Sequence, residues 1–225
     1  MIDMTGVSKT YANGNQTIRA LELTDLSIEA GEFVVIVGRS GAGKSTLLGI
    51  AGGLLRPTTG TVSVQGQSLW ALDARTRAQR RARQIGFVFQ NASVIPSLSL
   101  LENVMLARQF LDAPSDGTAQ RRAMILLAEV GLADRARATP DRISGGERRR
   151  IAVASALMNN PPIILADEPT GELDAETETR IMALLQQVHG QGTTVLLVTH
   201  NQDLTRYAQR VLVIEQGQLS EASCP

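Results

Sequence analysis

A glycine-rich loop contains the residues of this sequence that are best placed for chemistry, Gly38-Arg39-Ser40-Gly41-Ala42-Gly43-Lys44-Ser45, followed by Thr46. The loop has the spacing G-x-x-x-x-G-K-[ST], in which glycines let successive backbone N–H groups turn toward phosphate oxygens. The lysine adds a positive charge near the β- and γ-phosphates, and the serine hydroxyl can ligate Mg²⁺. We interpret the loop as a binding site for the phosphates of a nucleoside triphosphate.

The segments on either side of the loop have the pattern that such a site requires. The run of β-branched residues at 33–37 predicts a strand buried on both faces. Residues 44–54 have helical character, and a helix that begins at the loop directs its positive N-terminal end at an anion. The spacing alone would occur by chance in about one chain in a hundred of this length, but the strand–loop–helix context makes chance a poor explanation.

Two acidic residues, Asp167 and Glu168, directly follow the apolar run at 163–166. In nucleotide hydrolases with a phosphate loop, an aspartate at the end of a strand holds Mg²⁺, and Asp167 fits that role. Glu168 could act as the general base toward the attacking water. By itself the pair could also be two acids that end a strand, but beside a phosphate loop the catalytic interpretation is favoured.

A second glycine-rich element, Ser144-Gly145-Gly146-Glu147, precedes a helical stretch at 148–158. Two glycines at a helix start can bind an anion, although the same residues are also common in flexible links. With this element the sequence resembles the ATPases of the ABC transporter family along nearly its whole length. The resemblance implies that the element is the family signature motif, which acts on the ATP held by the opposite subunit. Two chains would then pair head to tail, most simply as a homodimer, with two ATP molecules between them.

The other landmarks of the family occur in the expected order. By resemblance, Tyr11 stacks on adenine, Gln90 contacts Mg²⁺ and water and links to the membrane subunit, and His200 contacts the γ-phosphate. Asp174 lies in a segment that resembles the D-loop, which crosses the dimer interface. Taken singly, Tyr11 and His200 would more often be structural residues, so the assignment depends on their joint order and spacing.

The resemblance implies a complete set of ATP- and Mg²⁺-binding residues. It places Lys44, Glu168 and His200 in catalysis, and Ser45, Gln90 and Asp167 on the metal. The departures from the family pattern are modest, and none removes a group that the chemistry needs. They are Ile143 for the usual leucine, Glu147 for the commoner glutamine, Glu172 in the D-loop, and Asn201 after the histidine.

The alternation of strands and helices predicts an α/β fold with a parallel sheet covered on both faces. We expect one domain over 1–225, in which a P-loop NTPase core (1–90 and 161–225) carries an inserted helical subdomain at about 91–160; the resemblance adds an N-terminal antiparallel β subdomain. Strands are predicted at 17–28, 33–37, 61–64, 86–89, 163–166, 194–199 and, as the last, 211–214. Helices are predicted at 44–54, 100–111, 120–130, 148–158, 175–188 and 206–210.

The amino-acid composition limits the kinds of partner and compartment to be expected. The 22 basic and 22 acidic side chains balance, so nucleic acid is not the expected partner. The single cysteine, Cys224, cannot form an internal disulfide and suits a reducing cytoplasm. We find no signal peptide and no run of the ~18 apolar residues that a membrane span needs. The resemblance implies a location at the cytoplasmic face of the inner or plasma membrane, through an integral membrane permease.

The motifs are similar to those of the lipoprotein-release and macrolide-export group. This resemblance implies an ATPase that powers a permease exporting or extracting an envelope-related substrate. The alternative is an ATPase that regulates a membrane signalling partner of the cell-division type and transports nothing. Soluble ABC ATPases of DNA repair or translation carry long coiled-coil insertions or two tandem ATPase domains, which this sequence lacks.

An arginine cluster at 75–83 could contact lipid head groups or an acidic partner, or it could be a solvated helix face.

Overall fold

The computed structural model describes residues 1–14, 16–91, 94–111, 117–171 and 173–222. Two of the residues discussed above, Glu172 and Cys224, lie outside the described residues. The chain divides into two compact units, Met1–Arg77 with Thr194–Pro225, and Ala78–Thr193. The division of the chain into a core (1–90 and 161–225) and a helical lobe (91–160) stays a prediction.

The first unit contains the expected antiparallel sheet, in the order β2-β1-β4-β5. Its strands are β1 (Ile2–Asn13), β2 (Gln16–Ile28), β4 (Thr59–Val64) and β5 (Gln67–Ser68). The second half of β2 alternates buried and exposed side chains, the period that indicates a sheet with one covered face. No strand is predicted over β1 from its sequence, because register shifts between Met4 and Thr10 break that period.

A second sheet of the same unit has β3 (Phe33–Val37) between β8 (Thr194–Thr199) and β9 (Arg210–Glu215), parallel to both. Every side chain of β3 and β8 is buried, which explains their continuous apolar runs. Helix α1 (Lys44–Ala51) begins after the phosphate loop.

Two predictions in the last part of the chain are wrong. The helix predicted at 206–210 is a 3₁₀ helix at Gln202–Tyr207, since the chain enters β9 at Arg210. The strand predicted as last is followed by β10 (Gln218–Glu221), antiparallel to β9. Strand β10 has one apolar side chain in four, Leu219, so it carries no hydrophobic pattern to predict it.

Four α-helices lie wholly within the described residues of the second unit, together with a parallel pair of strands, β6 (Ile85–Val88) and β7 (Ile163–Asp167). The helices are α3 (Leu100–Met105), α4 (Thr118–Glu129), α5 (Gly145–Ala156) and α6 (Ala175–Gly190). Helix α5 contacts the other three helices and β6. The predicted helix at 148–158 is α5, which begins three residues earlier, and the one at 100–111 is α3 followed by a 3₁₀ helix at Leu106–Phe110.

Helix α2 (Ala74–Gln84) carries the arginine cluster and contains the boundary between the two units. None of its residues is buried, as the solvated-face interpretation predicts. The Arg77 guanidinium lies 4.5 Å from the centre of the Trp70 ring and donates to the Leu72 carbonyl at 3.1 Å. Among the described residues, no helix combines the length and the apolar character needed to cross a membrane.

Candidate functional site

The phosphate loop lies in the first unit, between β3 and α1, and its glycines fit tightly. Gly43 occupies the N-cap of α1 with φ of 106°, in the left-handed region that side chains oppose. A Cβ on Gly43 would lie 2.3 Å from the Ala20 carbonyl oxygen, and one on Gly38 would lie 2.5 Å from the Ile214 carbonyl oxygen. Neither position has room for a larger residue, so both glycines are required by the backbone path of the loop.

The start of α1 has the character of an anion site. Within the described residues, no side chain caps the helix at Gly43, and its first turn contains no acidic residue. The first N–H groups of a helix have no intrahelical partner, and they carry a partial positive charge. Ser45, in the first turn, is exposed. The helix start can therefore receive phosphate oxygens and offer a hydroxyl beside them.

Lys44 is buried on the loop, with 7% of its surface exposed. Its Nζ donates to the carbonyl oxygens of Gly38 at 2.8 Å and Arg39 at 3.1 Å. These carbonyls hold the ammonium group within the curve of the loop. A bound phosphate would offer it an anionic acceptor, which forms a stronger hydrogen bond than a neutral carbonyl.

His200 lies beside the beginning of the phosphate loop in the same unit. It follows β8, whose last residue, Thr199, is in register with Val37 at the end of β3. The Gly38 N–H donates to the Thr199 carbonyl at 3.1 Å, so the chain is tied to β8 one residue before the histidine. The His200 side chain is exposed.

Tyr11 also belongs to the first unit, near the end of β1, where it pairs with Ile18 of β2. The residue is 38% exposed, and the Lys9 ammonium lies 5.1 Å from the ring centre. The hairpin thus presents an aromatic side chain at the surface, as stacking on a base requires.

The acidic pair lies in the second unit, where β7 ends. Asp167 is the last residue of the strand and is 7% exposed, and Glu168 is 6% exposed. Glu168 has φ of 48°, a left-handed conformation that costs a residue with a side chain on the order of 1–3 kcal/mol. Its carbonyl oxygen accepts hydrogen bonds from the Gly171 N–H at 3.1 Å and from Arg149 Nη1 at 3.1 Å.

Gln90 follows β6 in the same unit, two residues past the end of the strand, and its side chain is exposed. Its carbonyl oxygen accepts a hydrogen bond from Arg149 Nη1. The structure therefore brings the backbones of Gln90 and Glu168 together around one guanidinium. Arg149 was not predicted from the sequence, because it stands between two other arginines and only a helical register that placed this one inward would have distinguished it.

The signature motif is the first turn of α5. Ser144 is its N-cap, and the Ser144 Oγ accepts from the Glu147 N–H at 3.2 Å. The Glu147 carboxylate in turn accepts from the Ser144 N–H at 2.8 Å, which completes a capping box. Ser144 and Gly145 are exposed, and a Cβ added to Gly145 would have nothing within 4 Å, whereas one on Gly146 would lie 3.2 Å from Leu173.

The charge of Glu147, where the family more often has glutamine, is balanced within the unit. Arg135 Nη1 lies 2.7 Å from the carboxylate, and Arg135 Nη2 donates to the Arg142 carbonyl at 2.8 Å. Partial burial by itself would raise the pKa of Glu147, but the Ser144 N–H and the Arg135 guanidinium more than offset it, and the pKa lies below its ordinary value. The carboxylate is thus a helix cap held by an arginine.

Asp174 likewise caps a helix, as the N-cap of α6. Its two carboxylate oxygens accept from the N–H of Thr177 at 2.9 Å and from the Thr177 hydroxyl at 2.8 Å. These two hydrogen bonds lower the pKa of Asp174. The carboxylate is exposed, and its place at a dimer interface stays a prediction.

The predicted site residues thus fall into two groups. Tyr11, the phosphate loop and His200 lie in the first unit. Gln90, the signature motif, the acidic pair and Asp174 lie in the second. Among the described residues, no group of three or more His, Cys, Asp or Glu could hold a metal ion by itself.

Comparison with known proteins shows close similarity to ATP-binding proteins of transporters. The profile described as ABC transporter matches residues 21–171. An uncharacterized ABC transporter ATP-binding protein of Methanocaldococcus jannaschii, MJ1508, is 42% identical over 221 residues, which are 98% of each chain. The macrolide export ATP-binding/permease protein MacB of Escherichia coli is 41% identical over 219 residues, which are 97% of this chain and 34% of MacB.

This chain therefore spans about a third of the length of the MacB relatives that it matches. A solved dimeric structure of the ATP-binding cassette MJ0796, in a post-hydrolysis state bound to ADP and Pi, matches 100% of both chains, with 40% sequence identity and a TM-score of 0.93. The α/β fold with its antiparallel N-terminal sheet is thus the predicted one, and the chain belongs to the ABC transporter family, as an ABC-type ATPase domain.

Proposed function

We propose that two copies of this chain bind and hydrolyse ATP in a head-to-tail homodimer and thereby power an integral membrane permease. The observation that carries the ATP site is the start of α1, where left-handed Gly43 leaves a helix N-terminus without a side-chain cap. Tyr11 would stack on the adenine, and the residues from Gly38 to Thr46 would hold the phosphates. In that complex the Lys44 ammonium exchanges the carbonyls of Gly38 and Arg39 for phosphate oxygens.

The hydrolytic step uses the acidic pair. Glu168 accepts a proton from the attacking water, and His200 holds the γ-phosphate and orients that water. The place of Glu168 supports this role, because it follows Asp167 directly at the end of β7 and is buried there. Catalysis is then mainly positioning and charge stabilisation.

The donor chemistry of the site fits Mg²⁺, which prefers oxygen ligands and keeps several waters and phosphate oxygens. Ser45, Gln90 and Asp167 would supply a hydroxyl, an amide and a carboxylate oxygen. When bound, the ion neutralises charge on the β- and γ-phosphates.

The signature motif completes the site from the second chain. The exposed Ser144 side chain, whose Oγ accepts the Glu147 N–H, would contact a γ-phosphate oxygen of the partner's ATP. Gly145 lets the backbone approach the nucleotide, and Arg135 neutralises Glu147 so that its charge does not repel the phosphates. By its resemblance to the D-loop, the segment with Asp174 would lie at the interface between the two chains.

The Glu168→Gln variant tests the assignment of the base. The amide cannot take the proton of the attacking water, so we expect ATP turnover to fall by at least about a hundredfold while ATP affinity is retained. ATP should then trap a dimer, visible as a doubled mass in size-exclusion chromatography with light scattering. Turnover equal to that of the parent chain would remove Glu168 from the mechanism.

The Gly145→Ala variant tests whether the signature motif acts on nucleotide. Alanine has space at this helix start and a higher helix propensity than glycine by roughly 1 kcal/mol, so the melting temperature should not fall. We expect ATP turnover to fall by about tenfold or more, because the added methyl group holds the second chain away from the phosphates. ATP binding by each chain should remain.

Gly190→Ala provides the matched control, since Gly190 is exposed at the end of α6 and a Cβ there also has nothing within 4 Å. It should keep both its melting temperature and its turnover. Equal turnover in the two variants would contradict the role of the signature motif.

A groove in the second unit supports docking of the permease. The cavity has a volume of about 280 Å³ and is lined mainly by apolar groups of α2, β6, α5 and the 3₁₀ helix after α3. Phe87 and Phe89 stack on its wall with ring centres 5.4 Å apart, and Phe89 is 43% exposed. Gln90 follows Phe89 directly, so an element seated here would lie next to a residue proposed to contact Mg²⁺. The relatives called MacB are named as ATP-binding/permease proteins. These names favour a permease segment as the occupant of the groove.

Filling the groove tests this docking. Ala78 lines the cavity from α2, a helix without buried residues, so Ala78→Trp should fold and still block it. When the chain is affinity-purified from membranes in mild detergent, we expect a multispanning permease to accompany the parent chain and the Ala74→Trp control, and several-fold less to accompany Ala78→Trp.

The identity of the co-purified protein separates the two functions left open by the sequence. A permease with a transport cavity supports export or extraction of an envelope-related substrate. A membrane protein with only an extracellular signalling domain supports the regulatory alternative. Equal recovery of the permease with Ala78→Trp would contradict docking at the groove.

A further inference from the structure

Arg149 is a buried cation in the middle of the second unit, one turn after Gly145 in α5, with 9% of its surface exposed. Its Nη1 donates to the carbonyl oxygens of Gln90 and of Glu168, the latter at 3.1 Å. Two longer contacts of 3.4 Å join Nη1 to the Phe89 carbonyl and Nη2 to the Gly171 carbonyl. One side chain thus binds backbone oxygens on both sides of the predicted catalytic region.

These carbonyls belong to two separate loops, one after β6 and one after β7. A backbone carbonyl away from water requires a hydrogen-bond donor, and a guanidinium supplies several N–H groups in one rigid plane. Because it is charged, its hydrogen bonds are stronger than those from a neutral donor. Arg149 therefore attaches both loops to α5.

The contact to Glu168 has a particular consequence, because the backbone of Glu168 is left-handed. Such a conformation persists only where the surroundings determine it. Here the Glu168 carbonyl is held by Arg149 and by the Gly171 N–H. The direction of the Glu168 side chain follows from this backbone, so the orientation of the proposed base depends on Arg149.

We propose that Arg149 is a positioning residue for ATP hydrolysis, which fixes Glu168 and the Gln90 loop to the signature helix α5. The proposal rests on the proposed function, in which Glu168 is the base. In the head-to-tail dimer, α5 of one chain begins at the ATP of its partner, while Glu168 of that same chain acts on its own ATP. Arg149 therefore connects the two ATP sites through a single chain, so that closure at Ser144 in one site aligns the base of the other.

Arg149→Lys is the informative substitution. Lysine keeps the positive charge and most of the length, but it lacks the planar fork that reaches two loops at once. A small displacement of a catalytic group can cost on the order of a hundredfold in rate, so we expect kcat for ATP to fall by about tenfold to a hundredfold. The dissociation constant for ATP should stay within about threefold, because the phosphate loop is untouched, and the Hill coefficient for ATP should fall toward one.

Arg150→Lys is the matched control on the same helix. The Arg150 Nη1 donates to the Val130 carbonyl at 2.8 Å, which lies at the end of α4 and belongs to neither catalytic loop. Its Nη2 also lies 4.0 Å from the Glu147 carboxylate, and lysine keeps the positive charge of that contact. This variant can lose stability in the same way, but its kcat at a temperature well below its melting point should equal that of the parent chain. The comparison separates positioning from a general loss of folded protein.

The outcomes distinguish this inference from the proposed function. If the parent chain hydrolyses ATP and Arg149→Lys keeps the same kcat and Hill coefficient, the positioning role is wrong and the ATPase assignment stands. An equal loss of kcat in Arg149→Lys and Arg150→Lys would also overturn it, because the effect would then be structural. A parent chain without turnover under all dimer-forming conditions would instead contradict the proposed function.

Discussion

Two helix starts, at Gly43 and at Ser144, present backbone N–H groups that have no partner within their own helix, and the chemistry proposed for this chain depends on them. At Gly43 the backbone adopts a left-handed conformation beside the Ala20 carbonyl, where only glycine fits. At Ser144 a capping box satisfies part of the helix start and leaves Gly145 open to solvent. The first start is packed against its own unit, whereas the second is open to solvent.

In the proposed function, this difference gives each chain two distinct tasks toward ATP. The loop before α1 would hold a nucleotide, and the first turn of α5 would act on the nucleotide of the partner. The same α5 reaches Glu168 and Gln90 through Arg149, so the residues proposed to cleave one ATP are connected to the motif proposed to sense the other. Hydrolysis would then depend on assembly, and the groove lined by Phe89 would give the permease a route to that assembly.

Much of the fold could be predicted because its central strands are buried on both faces. The strands β3 and β8 have the predicted bounds, since continuous apolar runs such as Phe33–Val37 have few alternative structures. The elements that sequence patterns missed have interrupted or weak patterns, namely β1 with its register shifts and the polar β10. The phosphate loop and the acidic pair are found at the ends of the predicted strands because their residue types and spacing are set by local backbone geometry.

The contacts that adjust the site were not predictable, since they join residues far apart in the sequence. Nothing local distinguishes Arg149 from Arg148 and Arg150, and its carbonyl partners lie 19 and 59 residues away. Likewise, Glu147 is a departure from the family pattern whose neutralisation by Arg135 becomes visible only in the folded unit.

In the proposed dimer, a single chain holds only half of each working site. The rate of ATP hydrolysis per chain, measured over a range of chain concentrations together with the fraction of dimer from analytical ultracentrifugation, tests this directly. Turnover per chain should rise with the dimer fraction, while nucleotide binding by the loop should already be present in the monomer. Rapid turnover per chain that is independent of concentration in a demonstrably monomeric sample would contradict it.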